Sequence, residues 1–183
     1  MSLKQRFIVA VFKAITQLIF RIDQADLQKV PHQGPLIIVT NHVNVLEIPI
    51  IYTCLQPRRV HGMVLAERWK NPLWRFILDG CEAIPLKRDE PDLSAMRQAI
   101  AYLELGRQII IMPEGTRSGD GRLQRGQPGL TLLAQHTHAP LLPVIFYGGE
   151  QYKENLARLR RTDFHIRVGS PLHVDPDCTR AGA

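Results

Sequence analysis

An α/β domain, a largely parallel central sheet flanked by helices, is predicted by three features of this 183-residue sequence. Short apolar runs rich in β-branched residues recur along the chain. Between them lie segments whose apolar residues repeat at three- and four-residue steps, as an amphipathic helix requires. Polar motifs also follow two of the apolar runs directly, and in parallel sheets chemistry gathers at the carboxyl ends of strands.

The first element is Phe7 to Phe20, FIVAVFKAITQLIF, with Lys4, Arg6, Lys13 and Arg21 in or around it. Spanning a bilayer takes roughly 20 apolar residues, so this segment is too short and too interrupted. No small-residue cleavage site follows it, as a signal peptide would need. Residues 1–30 are therefore expected to form an amphipathic helix region on a membrane surface, apolar side in lipid and Lys and Arg at the headgroups. Packing of the same helix on the domain is the alternative, and the two are compatible.

Pro31, Gly34 and Pro35 form a turn cluster that opens the main domain, residues 31–175. Leu36 to Thr40 reads as a buried strand, and Pro49 suits the first position of a helix. His61 to Ala66 and Ala83 to Leu86 are further strands, separated by a helix over Trp69 to Leu78 with Trp69, Leu73, Phe76 and Ile77 on one side. Asp92 is a good N-cap for a helix that runs through Leu93, Met96, Ile100 and Leu103 to a stop at Gly106. Ile109 to Met112, Leu141 to Phe146 and Phe164 to Val168 complete the strands, with a helix over Gly129 to His138. Residues 176–183 are a C-terminal tail. No internal repeat or linker-like run divides the chain.

The composition, 45% hydrophobic and 22% charged, is that of a folded protein. Lys and Arg number 23 against 17 Asp and Glu, a formal charge of 23 − 17 = +6. A positive surplus favours anionic partners. No zinc-finger spacing or aromatic RNA-binding signature accompanies it, which disfavours nucleic acid. Cys54, Cys81 and Cys178 are far apart and show no metal-ligand spacing, so they read as reduced thiols in a cytosol-facing protein. No metal or bound cofactor is expected. His32, His61, His136, His138, His165 and His173 lack a spaced carboxylate and read as structural or surface residues.

Two constellations carry chemistry. In Asn41-His42-Val43-Asn44-Val45-Leu46-Glu47-Ile48-Pro49, a histidine has a carboxylate five positions on. On a regular helix five residues advance roughly 500°, so the two would not share a face. In a loop entering a helix they can meet, with the carboxylate accepting Nδ1–H and Nε2 left for a substrate hydroxyl. In Pro113-Glu114-Gly115-Thr116-Arg117-Ser118, glycine admits a ligand close to the backbone and Arg117 supplies a planar fork for phosphate oxygens. Arg122, Arg125 and Gly126 extend a basic stretch. Alone, each motif has an ordinary alternative: a chance pair, or a polar turn after a strand.

Together, NHVNVLE and MPEGTRS resemble the two main motifs of the glycerolipid acyltransferase family, Asn-His-x-x-x-x-Asp and Phe-Pro-Glu-Gly-Thr-Arg-Ser, in order and approximate separation. Ala66-Glu67 with NPLWRFILDGCEAIPLKRD, Ala139 to Val144, and the closing IRVGSPL resemble weaker blocks of that family, so the likeness covers roughly residues 35 to 172. It implies a glycerol-3-phosphate acyltransferase-like fold. It implies His42 as the base, Glu47 in the place of the usual Asp as its orienting partner, and Glu114, Gly115, Thr116 and Arg117 in a glycerol-phosphate site. Lys87 or Arg88 stands where the family has a second basic contact, and Pro143 in the block associated with the acyl donor. Asn44 stands where many members have Ser.

The implied reaction moves a fatty acyl group from acyl-CoA or acyl-carrier protein to the hydroxyl of a lysophospholipid such as 1-acylglycerol-3-phosphate. The implied setting is the cytoplasmic face of a membrane containing anionic lipid, reached as a peripheral or monotopic protein. No Gly-x-Ser-x-Gly elbow is present, so transfer is expected to be direct. A different lyso-lipid or aminolipid acceptor is one alternative. A catalytically weak lipid-binding member, suggested by Glu47, is another.

Overall fold

The computed structural model describes residues 1–42, 46–87, 92–116 and 125–175. Among them a seven-stranded sheet runs in the order β1-β7-β6-β2-β5-β3-β4. Its strands are β1 Phe20–Asp23, β2 Leu36–Thr40, β3 Val60–Leu65, β4 Ile84–Leu86, β5 Gln108–Ile111, β6 Leu141–Tyr147 and β7 Thr162–Val168. The strands from β6 to β4 are parallel, while β7 pairs antiparallel with β6 and carries β1 parallel to itself at the edge. The helices are α1 Leu3–Ile19, α2 Glu47–Cys54, α3 Pro72–Gly80, α4 Leu93–Glu104, α5 Gly129–Thr137 and α6 Tyr152–Ala157.

β2 lies at the centre because it can be buried on both sides. Its neighbours Ile37 and Ile38 point to opposite faces and both are fully buried. Ile38 joins Ile50 and Ile51 of α2, Leu55 just after that helix and Val144 of β6 on one face. Ile37 joins Ala95, Ala99 and Leu103 of α4 and Leu133 and Ala134 of α5 on the other. Each side gives one continuous apolar cluster, which is the dominant favourable term in folding.

Several local expectations need correcting. α1 starts at Leu3, because Ser2 and Gln5 form a capping box that satisfies the first backbone N–H groups. α2 begins at Glu47, two residues before Pro49. Proline is tolerated in that first turn because its missing N–H would have had no partner in the helix. The helix over 69–78 is a 3-10 turn, Ala66–Lys70, followed by α3, which the Asn71 side chain caps through the N–H groups of Leu73 and Trp74. Leu73 and Phe76 point to solvent, away from the core. In α4 the buried line is Ala95, Ala99 and Leu103, and Leu93 is exposed, since small alanines let the helix approach the sheet closely. Asp92 caps α4 as expected.

β1 and α6 were not legible. Phe20, the last residue of the expected helix, is the first of β1 and is fully buried, with its ring 5.4 Å from that of Phe164. The sheet is also less fully covered than expected, because Ile145 and Tyr147 of β6 remain exposed. No helix among the described residues is long and apolar enough to cross a membrane.

His61 is buried at the start of β3, its Nδ1 3.1 Å from the Glu82 carbonyl oxygen and its ring 4.3 Å from that of Tyr102. Burial holds its pKa below the ordinary 6.5. The unfolded chain therefore takes up a proton near pH 6.5 that the folded chain resists. Stability from this group is present above that pH and is lost as pH falls. Thermal melts between about pH 7 and 5 should show a steeper loss of Tm for the wild type than for His61→Gln. Parallel slopes would contradict this.

Candidate active site

The strand order creates the site. β2 and β5 are neighbours, with Val39 opposite Ile111, so the segments leaving their carboxyl ends emerge side by side. One carries Asn41 and His42, the other Pro113 and Glu114. Motifs separated by 72 residues are thereby in contact: the His42 backbone N–H donates to Glu114 Oε1 over 3.3 Å.

His42 Nδ1 lies 3.1 Å from Glu47 Oε2. Glu47 is the first residue of α2, where the helix N-terminus favours an anion. Its side chain is 1% exposed and that of His42 is 22% exposed. The carboxylate thus sits behind the ring, and the ring reaches solvent. With Nδ1–H donated to Glu47, Nε2 carries the lone pair, and no group among the described residues hydrogen-bonds to it. That is the state a general base needs.

Asn41 fixes the segment from below. Its Nδ2 donates to the Phe146 carbonyl over 2.9 Å, and its Oδ1 accepts the Phe146 N–H at 2.8 Å. The side chain thus continues the β2–β6 ladder one step past Thr40 and Val144, the last register pair of the two strands. Sequence reasoning placed Asn41 in the motif without a role. A side-chain amide after a strand is the available signal, but its partner on β6 is not readable. Asn41→Ala removes both bonds and should cost about 1–3 kcal/mol by leaving backbone polar groups unpaired. Turnover should fall with it while KM stays near that of the wild type. An unchanged Tm and kcat would show that the clamp does nothing.

Glu114 is buried behind the His42 segment. Gly115 turns with φ 66°, a left-handed conformation that glycine adopts without strain, and its N–H donates to the Met112 carbonyl. Gly115 and Thr116 are exposed beyond that turn. Lys87 is exposed at the carboxyl end of β4, its backbone N–H donating to Asp92 Oδ2 at 2.9 Å. Arg88, Asn44 and Arg117 lie outside the described residues. Among those described, no group of three or more His, Cys, Asp or Glu side chains could hold a metal ion.

A half-open histidine backed by a buried carboxylate, at the carboxyl edge of parallel strands, defines an α/β scaffold equipped for general-base chemistry. The chain belongs to the Acyltransferase family, whose model matches residues 21–147. It is 26% identical over 169 residues to a 1-acyl-sn-glycerol-3-phosphate acyltransferase of Bacillus subtilis, covering 92% of this chain and 82% of that protein. It is 27% identical over 143 residues to the enzyme so named from Limnanthes alba, of which it spans 50%. Its fold is similar to the crystal structure of the 1-acyl-sn-glycerophosphate acyltransferase PlsC from Thermotoga maritima, with a TM-score of 0.68 at 21% identity, covering 98% of this chain and 71% of that one.

Proposed function

We propose that this chain transfers a fatty acyl group from acyl-CoA or acyl-carrier protein to the hydroxyl of a lysophospholipid, with 1-acylglycerol-3-phosphate as acceptor and phosphatidic acid as product. The observation that carries this reading is the 3.1 Å contact between His42 Nδ1 and the buried Glu47 carboxylate. His42 Nε2 takes the acceptor's proton as its oxygen attacks the thioester carbonyl. The C–O bond forms, the C–S bond breaks, and His42 returns the proton to the leaving thiolate. Glu47 holds the ring and stabilises its charged form in between. Relatives named for 1-acyl-sn-glycerol-3-phosphate support the choice of acceptor.

Arg117, with Gly115 and Thr116, is assigned to the acceptor's phosphate by family resemblance, and Lys87 or Arg88 to a second contact on it. Glu114, which accepts the His42 backbone N–H, would brace the base from within that same motif. The reaction would take place at a membrane surface. α1 presents Leu3, Phe7, Val11, Ile15 and Leu18 to solvent along one side, and α3 adds Leu73 and Phe76. Lys4 sits 4.4 Å above the Phe76 ring, placing a cation among these apolar groups. Such a surface suits peripheral attachment to anionic lipid on the cytoplasmic face.

The test is one assay: purified protein, mixed acyl donors, a panel of lyso-lipids with and without phosphate, and mass detection of products. Acylation should require a phosphate-bearing lyso-lipid. Equal acylation of a phosphate-free aminolipid would move the acceptor to another class, and no product from folded protein would reject the enzymatic reading.

A further inference from the structure

Asp92 uses its two carboxylate oxygens for different tasks. Oδ1 accepts the N–H groups of Ser94 and Ala95, each at 3.0 Å, and so caps α4. Oδ2 accepts the N–H of Lys87 at 2.9 Å, across the connection from β4 to α4. A cap needs only one oxygen, so the second bond is an addition to it. The N–H groups of Ala95 and Lys87 chiefly hold the Asp92 carboxyl below the ordinary carboxylate range. The group is therefore ionised at neutral pH and acts as an acceptor only.

The added bond fixes a residue whose position matters. Lys87 is the first residue past β4, at the carboxyl end of the parallel strands, where His42 and Glu114 also lie. Leu86 belongs to the apolar cluster that packs on α4. Alternation along the strand directs Lys87 to the other face, the one on which α2 packs. The bond from Asp92 runs to the Lys87 backbone, and the exposed ammonium makes no ion pair or hydrogen bond among the described residues. A lysine is a point charge on a flexible stem, so a fixed backbone sets the region its charge can serve.

We infer that Asp92 is a positioning residue for the acceptor's phosphate: by binding the Lys87 backbone it sets where the Lys87 ammonium reaches. The inference rests on the reading of Lys87 as a phosphate contact, and the experiment separates the two. Asp92→Ser and Asp92→Asn each keep an oxygen for the α4 cap, and these residues cap about as well as aspartate. Neither can also offer an acceptor to Lys87 as the second carboxylate oxygen does. Amide exchange on the full-length chain should show Ser94 and Ala95 still protected and Lys87 exchanging faster.

Affinity is read as the KM for 1-acylglycerol-3-phosphate and as its dissociation constant measured without acyl donor. Both should rise about tenfold or more in Lys87→Gln, and about three- to tenfold in each Asp92 variant, as a charge-assisted contact is lost or misplaced. The kcat and the KM for the acyl donor should stay within about twofold of the wild type, a split that a merely structural cap would not produce. Lys87→Gln combined with Asp92→Ser should bind the acceptor no more weakly than Lys87→Gln alone, because Asp92 acts through Lys87. Losses that multiply, or Asp92 variants that bind the acceptor like the wild type while Lys87→Gln does not, would overturn the positioning role and leave the phosphate contact standing. Unchanged affinity in Lys87→Gln would remove that contact and the inference with it. A raised KM for the donor instead of the acceptor would assign the pair to the donor and overturn the inference.

Discussion

His42→Ala should lower acyl transfer by a factor of about 10² to 10⁴, the usual contribution of a positioned general base. Binding of lipid and of acyl donor should persist, because the ring supports no strand or helix. Its side chain is 22% exposed and, among the described residues, hydrogen-bonds only to Glu47. The loss should appear in kcat, with the KM for the acceptor close to that of the wild type, since the proton moves only in the transition state. Product measured by mass at saturating acceptor gives the first quantity, and a titration of acceptor gives the second. Turnover like the wild type in a folded variant would remove His42 from the chemistry.

Glu47→Gln should produce a loss of similar size, about 10² to 10⁴ in kcat, for a different reason. The amide nearly keeps the shape of the carboxylate but cannot stabilise the charged ring, and it can offer N–H where Nδ1–H needs an acceptor. The neighbouring change is as informative. Glu47→Asp shortens the side chain by one methylene and draws the oxygen back from a 3.1 Å contact. A misplacement of roughly 1 Å can cost about 10²-fold. So an aspartate at this position should lower activity here, because α2 already begins at residue 47 and sets the reach that glutamate fills. Activity that appears only with aspartate would instead identify a lipid-binding member whose native pair does not turn over.

Much of the scaffold was written in local pattern. Leu36 to Thr40 has the same bounds as β2, and Asp92 caps α4 as its position suggested. β1 was hidden because Phe20 continues the apolar run of α1. Only tertiary pairing with Thr162 on β7 makes it a strand. The exposure of Leu73 and Phe76 was hidden for a related reason: period locates an apolar side but not what it faces. In the site, a histidine and a carboxylate at a loop–helix junction could be recognised as able to meet. That Glu114 reaches the His42 backbone and Asn41 the Phe146 backbone depends on which strands are neighbours, and strand order is a property of the whole sheet.

The central claim is that His42 and Glu47 act as one catalytic unit. A double-mutant cycle on acyl transfer tests it most directly, with His42→Ala, Glu47→Gln and the combination assayed under identical conditions. With the base gone its orienting carboxylate has nothing left to do, so the double variant should be no slower than His42→Ala alone. Losses that multiply across the two positions would contradict it.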